Sequence, residues 1–425
     1  MKKKTKIWIG IALINLCIVA LLGFILRSKI VFSIPFIDFK YLLHAHSHYA
    51  FGGWVTLALL WLMAGEILPQ SMNKSKLYKW MLSGIVVTAA GMLLAFPFQG
   101  YGLYSILFSV LFILATYGYS YVFIRDIIKT KNSRPVKTLA ISALVYLVLS
   151  SVGPFVLAYL MASKSNNVFL YRDSVYTYLH LQYNGFFTLA ILALFFNRLE
   201  HRMPIAKEVT LYRFAIVNVI TVIPSMFLSY LWHYPDMGFR MIAIAGSLLL
   251  IVSIVYFLFT VRAVAGALKE MNKTVLVIGS ISFGAFVLKM LMQTFTVFPA
   301  IGELVFANRP MIIGFLHLVL LGFVSLYLIA HFLHAGYLKP GKTTNIAVMV
   351  FASAVVFNEV ILMMQGLGVM LMTSSNIYPW MLWVTGGGLL AGACMLAYSF
   401  YSTNDIKKTD HNQLKENPIF QIKNI

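Results

Sequence analysis

Residues 41–66 read YLLHAHSHYAFGGWVTLALLWLMAGE. Three histidines, His44, His46 and His48, open the stretch, which then passes through Phe51, Gly52, Gly53 and Trp54 into a long apolar run. About 20 apolar residues span the roughly 30 Å of hydrocarbon in a bilayer. Polar side chains at the end of such a run sit where they are costly and often functional. The stretch is predicted to be a transmembrane helix carrying metal-binding imidazoles at its outer end, with the other helices assembled around it.

The remainder of the chain supports this. Of its 425 residues 60% are apolar and 11% charged, and the mean hydropathy is +0.84. Soluble domains carry about 25% charged residues. Only helices or closed barrels satisfy their own backbone inside lipid, so this is an integral membrane protein with no sizeable soluble domain. The net charge of +20 does not indicate nucleic acid, because the basic residues lie in short loops on one side. Cys17 and Cys394 are the two cysteines, both in apolar helices. They form no disulfide framework, zinc knuckle or CxxCH attachment site for covalent haem. Residues 1–26 have a basic tip and an apolar run too long for a cleaved signal, so they read as an uncleaved first helix.

Apolar windows recur twelve times, near 7–26, 42–65, 78–98, 101–124, 138–162, 174–196, 212–232, 240–262, 274–298, 310–334, 343–370 and 378–402. With the N-terminus placed inside, 25 of the 33 Lys and Arg residues fall in inner segments, seven in outer ones, and Lys289 within a span. That bias obeys the positive-inside rule. The fold class is therefore all-α: a polytopic membrane protein of about twelve transmembrane helices in one bundle, both termini cytoplasmic. Residues 1–403 form the membrane domain and 404–425 a polar cytoplasmic tail; the expected location is the cell inner (cytoplasmic) membrane. No internal repeat stands out.

The histidines share a depth. His44, His46 and His48 begin span 2, His180 lies about two turns into span 6, His317 about two turns into span 10, and His233 ends span 7. All are within roughly 10–12 Å of the outer surface at 1.5 Å rise per residue. Neutral imidazole is the usual ligand for haem iron and copper and a good one for zinc. His44 and His48 share a helix face while His46 points elsewhere, so one face serves a buried site and the other a loop or second site. His233 alone, and His331 and His334 at the inner end of span 10, fit interfacial or hydrogen-bonded roles. Gly52, Gly53 and Gly185 allow close approach of either a macrocycle or a helix.

The arrangement resembles the haem–copper oxidase subunit I superfamily (cytochrome c or quinol oxidase polypeptide I-like), broadly including nitric oxide reductases and NnrS-like membrane haem proteins. The resemblance rests on twelve helices, on His44-Ala45-His46-Ser47-His48 with Phe51-Gly52-Gly53 in span 2, and on His180 and His317. It implies that one of His44, His46 and His48 is a low-spin haem ligand, that His317 is its counterpart or a high-spin haem ligand, and that His180 is a copper ligand. It further implies non-covalent haem, b-type, with copper as a second metal, and a quinol or a protein as electron donor. The chain departs from that family at three places: helix 7 has His233 where the family has an adjacent pair, span 10 lacks His-x-His, and Asn184 stands where a tyrosine would, with Tyr183 and Tyr176 nearby.

Other polar groups fall inside the spans. Lys289 and Gln293 share a face of span 9, and Asn358 and Glu359 lie near the middle of span 11. A Lys289–Glu359 pair or a proton-handling site is expected, with a packing-specific ion pair as the alternative; Tyr183 joins them as a candidate. Arg172, Arg240 and Arg309 at outer helix ends could hold haem propionates or simply anchor the interface. Glu66 reads as a solvated helix end. Two further functions stay open beside a respiratory or nitric-oxide-related oxidoreductase: a secondary transporter, and a metal- or haem-handling protein without turnover.

Overall fold

The computed structural model describes residues 3–69, 76–200, 208–233, 236–373 and 375–416. Twelve of its helices are long and apolar enough to cross a membrane. They are α1 (Lys6–Val31), α2 (Phe39–Ile67), α3 (Lys76–Gln99), α4 (Leu103–Ile128), α5 (Arg134–Ala162), α6 (Val168–Leu199), α7 (Glu208–Ser229), α8 (Met237–Lys269), α9 (Lys273–Phe295), α10 (Arg309–His334), α11 (Lys342–Met370) and α12 (Ile377–Ser402). Each corresponds to an apolar window in the sequence. A short helix, Pro299–Ala307, precedes α10. The backbone of α12 stays helical as far as Glu416, into the segment expected to be a polar tail; residues 417–425 lie outside the described residues.

Three helices form the centre. In α2 and α6, 89% of the apolar window is buried, and in α10 61%, against 28–56% elsewhere. They touch one another directly. Trp54 on α2 donates its indole N–H to Ser325 Oγ on α10 at 2.9 Å. Phe51 on α2 packs against Phe187 on α6, and Tyr183 on α6 against Phe315 on α10. Every fourth helix is thus central.

The central helices are also wound differently. Ala50–Thr56 and Met63–Ile67 on α2, Leu181–Phe187 on α6 and Leu318–Ser325 on α10 are π-helical. Among the described residues the π segments are confined to these three helices. A π turn widens the ladder and releases carbonyls from their usual partners, and such turns often mark functional sites. In lipid the released groups must be satisfied from within the protein, and they are. Asn15 on α1 donates to Gly53 O at 2.6 Å. Thr188 and Ser325 each reach back five residues, to Tyr183 O at 2.6 Å and Leu320 O at 2.7 Å. Asn132 and Asn197 serve Ile67 O and Glu66 O at 2.8 and 3.1 Å.

Small residues set the spacing around this core. A Cβ on Gly246 of α8 would lie 2.5 Å from the Pro224 carbonyl and the Ser225 nitrogen of α7. Both neighbours are backbone, so the clash cannot be relieved by a rotamer change. Gly246→Val is expected to force α7 and α8 apart at a cost of about 1–3 kcal/mol. The loss is measured as a lower midpoint of thermal unfolding in detergent, and an unchanged midpoint would show that the two helices do not pack in this register.

Candidate functional site

The histidines of α2 diverge as their spacing predicts. His44 and His48 face α3 and the loop after it. The His48 ring stacks on Phe96 at 4.4 Å, and its Nε2 is 3.1 Å from the Tyr101 hydroxyl. His44 lies edge-on to Tyr101 at 4.6 Å. His46 points the other way, toward α1, where its Nδ1 is 3.1 Å from Val19 O. Gly23 leaves it room, since a Cβ there would come 3.1 Å from His46 Cε1.

His317 on α10 is held in the same manner, its Nδ1 2.8 Å from Ile313 O. A carbonyl oxygen only accepts, so in both rings Nδ1 must carry the hydrogen and Nε2 the lone pair. No hydrogen bond reaches either Nε2 among the described residues. His46 and His317 lie within electrostatic reach of each other, and both feel the guanidinium of Arg27. Glu359 on α11 lies within electrostatic range of Arg27. This group of Arg27, His46, His317 and Glu359, between α1, α2, α10 and α11, is one polar centre of the bundle. Two half-buried imidazoles on separate helices are thus each fixed by a backbone carbonyl with Nε2 unengaged, the arrangement metal-ligating histidines commonly show.

The second centre surrounds His180. Its Nε2 donates to Val222 O of α7 at 2.8 Å, and its Nδ1 accepts from Asn184 Nδ2 at 3.2 Å. Asn184 Oδ1 accepts from Lys289 Nζ at 2.6 Å, and its amide also donates to Gln293 Oε1 at 3.2 Å. Lys289 is fully buried and donates a second bond to Thr188 Oγ1 at 3.0 Å. Tyr183, Phe286 and Phe323 turn ring faces to the ammonium at 5.9, 5.6 and 5.7 Å. Hydroxyl and amide oxygens plus aromatic faces thus replace the solvation that burial removes.

Several expectations are corrected. Lys289 does not pair with Glu359: its partners are on α6, while Glu359 Oε1 accepts from Asn358 Nδ2 at 3.1 Å. The two residues belong to different centres because their helices face opposite flanks of α10. Asn184, which read as a missing tyrosine, is the hub of its network, and Tyr183 sits beside it with its ring 5.6 Å from His180. His233 stands apart from His180, its Nε2 3.1 Å from Asp173 Oδ2 and its ring stacked on Phe169. Burial and the Arg172 guanidinium hold that imidazole below its ordinary pKa. Among the described residues no three His, Cys, Asp or Glu side chains gather as a metal-binding set.

The arginines singled out at helix ends are elsewhere engaged. Arg172 bonds Tyr176 and Phe306 O and lies over Trp232. Arg309 lies over Phe39, and Arg240 is exposed at the start of α8. Arg27 was missed because the apolar window closes at Leu26 and leaves the arginine looking like a loop charge; α1 in fact continues to Val31. Gly52 and Gly53 serve close packing, against Phe112 of α4 and against Tyr49 one turn back.

Glu66 is not a solvated end. Its side chain is only 8% exposed, and Oε1 accepts from His331 Nε2 at 3.0 Å, Tyr337 Oη at 2.8 Å and Arg198 Nη2 at 3.2 Å. His331, expected to be an ordinary helix-end residue, is its buried partner. The cluster ties the far ends of α2, α6 and α10 together, and only the tertiary fold brings its members within reach.

Comparison with protein-family models finds no match, and neither does comparison with curated proteins.

Removing the Glu66 carboxylate takes the acceptor from buried His331, from Tyr337 and from the part-exposed Arg198. Glu66→Ala is expected to cost about 1–3 kcal/mol, the range for leaving buried hydrogen-bonding groups unsatisfied. The readout is thermal unfolding in detergent, with Trp383→Phe, on the opposite flank, as a milder control. A Glu66→Ala protein as stable as the wild type would show that the cluster is not a structural tie.

Proposed function

We propose that the protein is a haem-binding membrane redox protein whose haem is held between His46 and His317. The reading follows the architectural resemblance to the haem–copper oxidase superfamily and places the protein in respiratory electron transfer or in oxygen or nitric oxide chemistry at the cell inner membrane. One observation carries it: two imidazoles on different helices, each with Nδ1–H tied to a carbonyl and each with Nε2 left for a ligand, with one guanidinium within electrostatic range of both. Haem bound there supplies one-electron exchange at iron.

The chain's own residues do the rest. The Val19 and Ile313 carbonyls select the tautomer and hold each ring in place. Arg27 adds positive charge near both rings, which favours the reduced, less positive state. The apolar bundle excludes water, which strengthens that charge. A quinol or a donor protein is the proposed electron source.

A second reading, haem handling without oxygen reduction, is favoured by the centre at His180. Both ring nitrogens there are committed to hydrogen bonds, and the described residues assemble no three-ligand set for copper.

Purified protein is expected to show a Soret band and, on dithionite reduction, the sharp α band of bis-histidine haem. His46→Ala and His317→Ala should lose that α band, whereas His44→Ala, His48→Ala and His180→Ala should keep it. Arg27→Gln should lower the reduction potential without loss of haem. A spectrum with neither band would sink the proposal and leave the secondary-transporter reading in front.

A further inference from the structure

Cys17 and Cys394, the two cysteines of the chain, lie on the first and last spanning helices. α1 and α12 pack as antiparallel neighbours, and their register can be read from contacts on either side of the cysteines. A Cβ on Gly10 would lie 2.5 Å from Tyr401 Oη, so position 10 opposes 401. Ser28 Oγ accepts from Trp383 Nε1 at 3.0 Å, so position 28 opposes 383. Between them Gly386 lies against Phe24 and Arg27. In that register position 17 opposes position 394. Positions 10, 17 and 28 are two and three helical turns apart and share one face. The thiols are accordingly close enough to interact with each other. Neither is joined in a disulfide; Cys17 is half-buried in the seam and Cys394 is exposed on the outward face of α12.

We propose that Cys17 and Cys394 are a redox-active dithiol that closes to an intramembrane disulfide, with a membrane-dissolved quinone as oxidant. Each thiol loses its hydrogen and an S–S bond forms. The quinone takes up the two electrons and two protons and leaves as quinol. The setting selects that oxidant. Cys17 lies near mid-span, where water-soluble thiol–disulfide couples do not reach, and hydrocarbon disfavours the charged thiolate that ordinary exchange needs. A lipid-soluble acceptor that takes hydrogen together with electrons suits neutral thiols, and Cys394 meets it from the lipid. The bridge fixes α1 against α12. Because α1 also carries Val19 and Arg27, closing it would clamp the helix that orients His46; this consequence rests on the haem reading, whereas the dithiol does not.

The test uses the full-length protein in membrane vesicles, reduced with dithiothreitol, washed, and exposed to decylubiquinone. Thiols are then counted by maleimide–polyethylene glycol labelling in detergent at denaturing strength. Two labels are expected before quinone and none after it, and peptide mass spectrometry should find the Cys17 and Cys394 peptides joined and lighter by two hydrogen atoms. In Cys17→Ser or Cys394→Ser the remaining thiol should stay labelled before and after quinone, and reduction of the wild type should restore both labels. Persistence of both labels after quinone would overturn the proposal. So would a quinone adduct on either sulfur in place of the linked peptide, or loss of label in the single variants. The haem spectrum is recorded in parallel, so absence of haem with an intact disulfide response, or the reverse, separates the two readings.

Discussion

Inside hydrocarbon a carbonyl released from the helical ladder has no water to turn to, and this constraint organises the centre of the protein. α2, α6 and α10 each contain π turns, and each turn is viable because a side chain bonds a released oxygen. Two of these donors do more. Thr188 Oγ1 gives its hydrogen to Tyr183 O and accepts from Lys289, and Ser325 Oγ gives its hydrogen to Leu320 O and accepts from Trp54. A hydroxyl has one hydrogen and two lone pairs, so one group can satisfy the π turn and a buried donor on a neighbouring helix at once. Local winding and helix packing are thereby the same set of bonds.

The histidines sit where this winding changes. His180 and His317 are the last α-helical residues before their π segments, and His48 lies two residues before the first π residue of α2. These polar side chains stand beside points where the backbone is already irregular and surrounded by polar partners. What differs between the helices is the occupant of the space beyond. On the α1 side His46 and His317 keep Nε2 unengaged beside Arg27. On the α9 side Lys289 and Asn184 fill the space next to His180, whose two nitrogens are taken up by Asn184 and by Val222 O. Similar positions on central helices therefore carry unlike chemistry, one leaving ring nitrogens unengaged and the other holding a buried cation.

At the opposite end Glu66 gathers Arg198, His331 and Tyr337. A carboxylate shared by three donors from α6, α10 and the loop after α10 fixes the ends of the central helices against one another. Three of the four π segments lie nearer the middle of the same helices, and the fourth, Met63–Ile67, contains Glu66 itself. The two features are complementary: irregular winding near the histidines is tolerated because the helices are tied at their far ends.

Composition, the spacing of apolar windows and the charge of the loops determined the twelve spanning helices. These follow from backbone physics in lipid, which every segment must obey on its own. The divergence of His46 from His44 and His48 was equally legible, because helical periodicity alone sets it. Which groups meet was decided only by the tertiary structure. Lys289 looked like the partner of Glu359 because both are charges at depth, yet helix order put Asn184 beside the one and Arg27 within reach of the other. Arg27 and Glu66 looked like ends because a hydropathy window stops at a charge, whereas a helix stops where its hydrogen bonds do. Depth in the membrane is written along the chain, but direction around the bundle axis is a property of neighbours that lie hundreds of residues apart, and no local pattern encodes it.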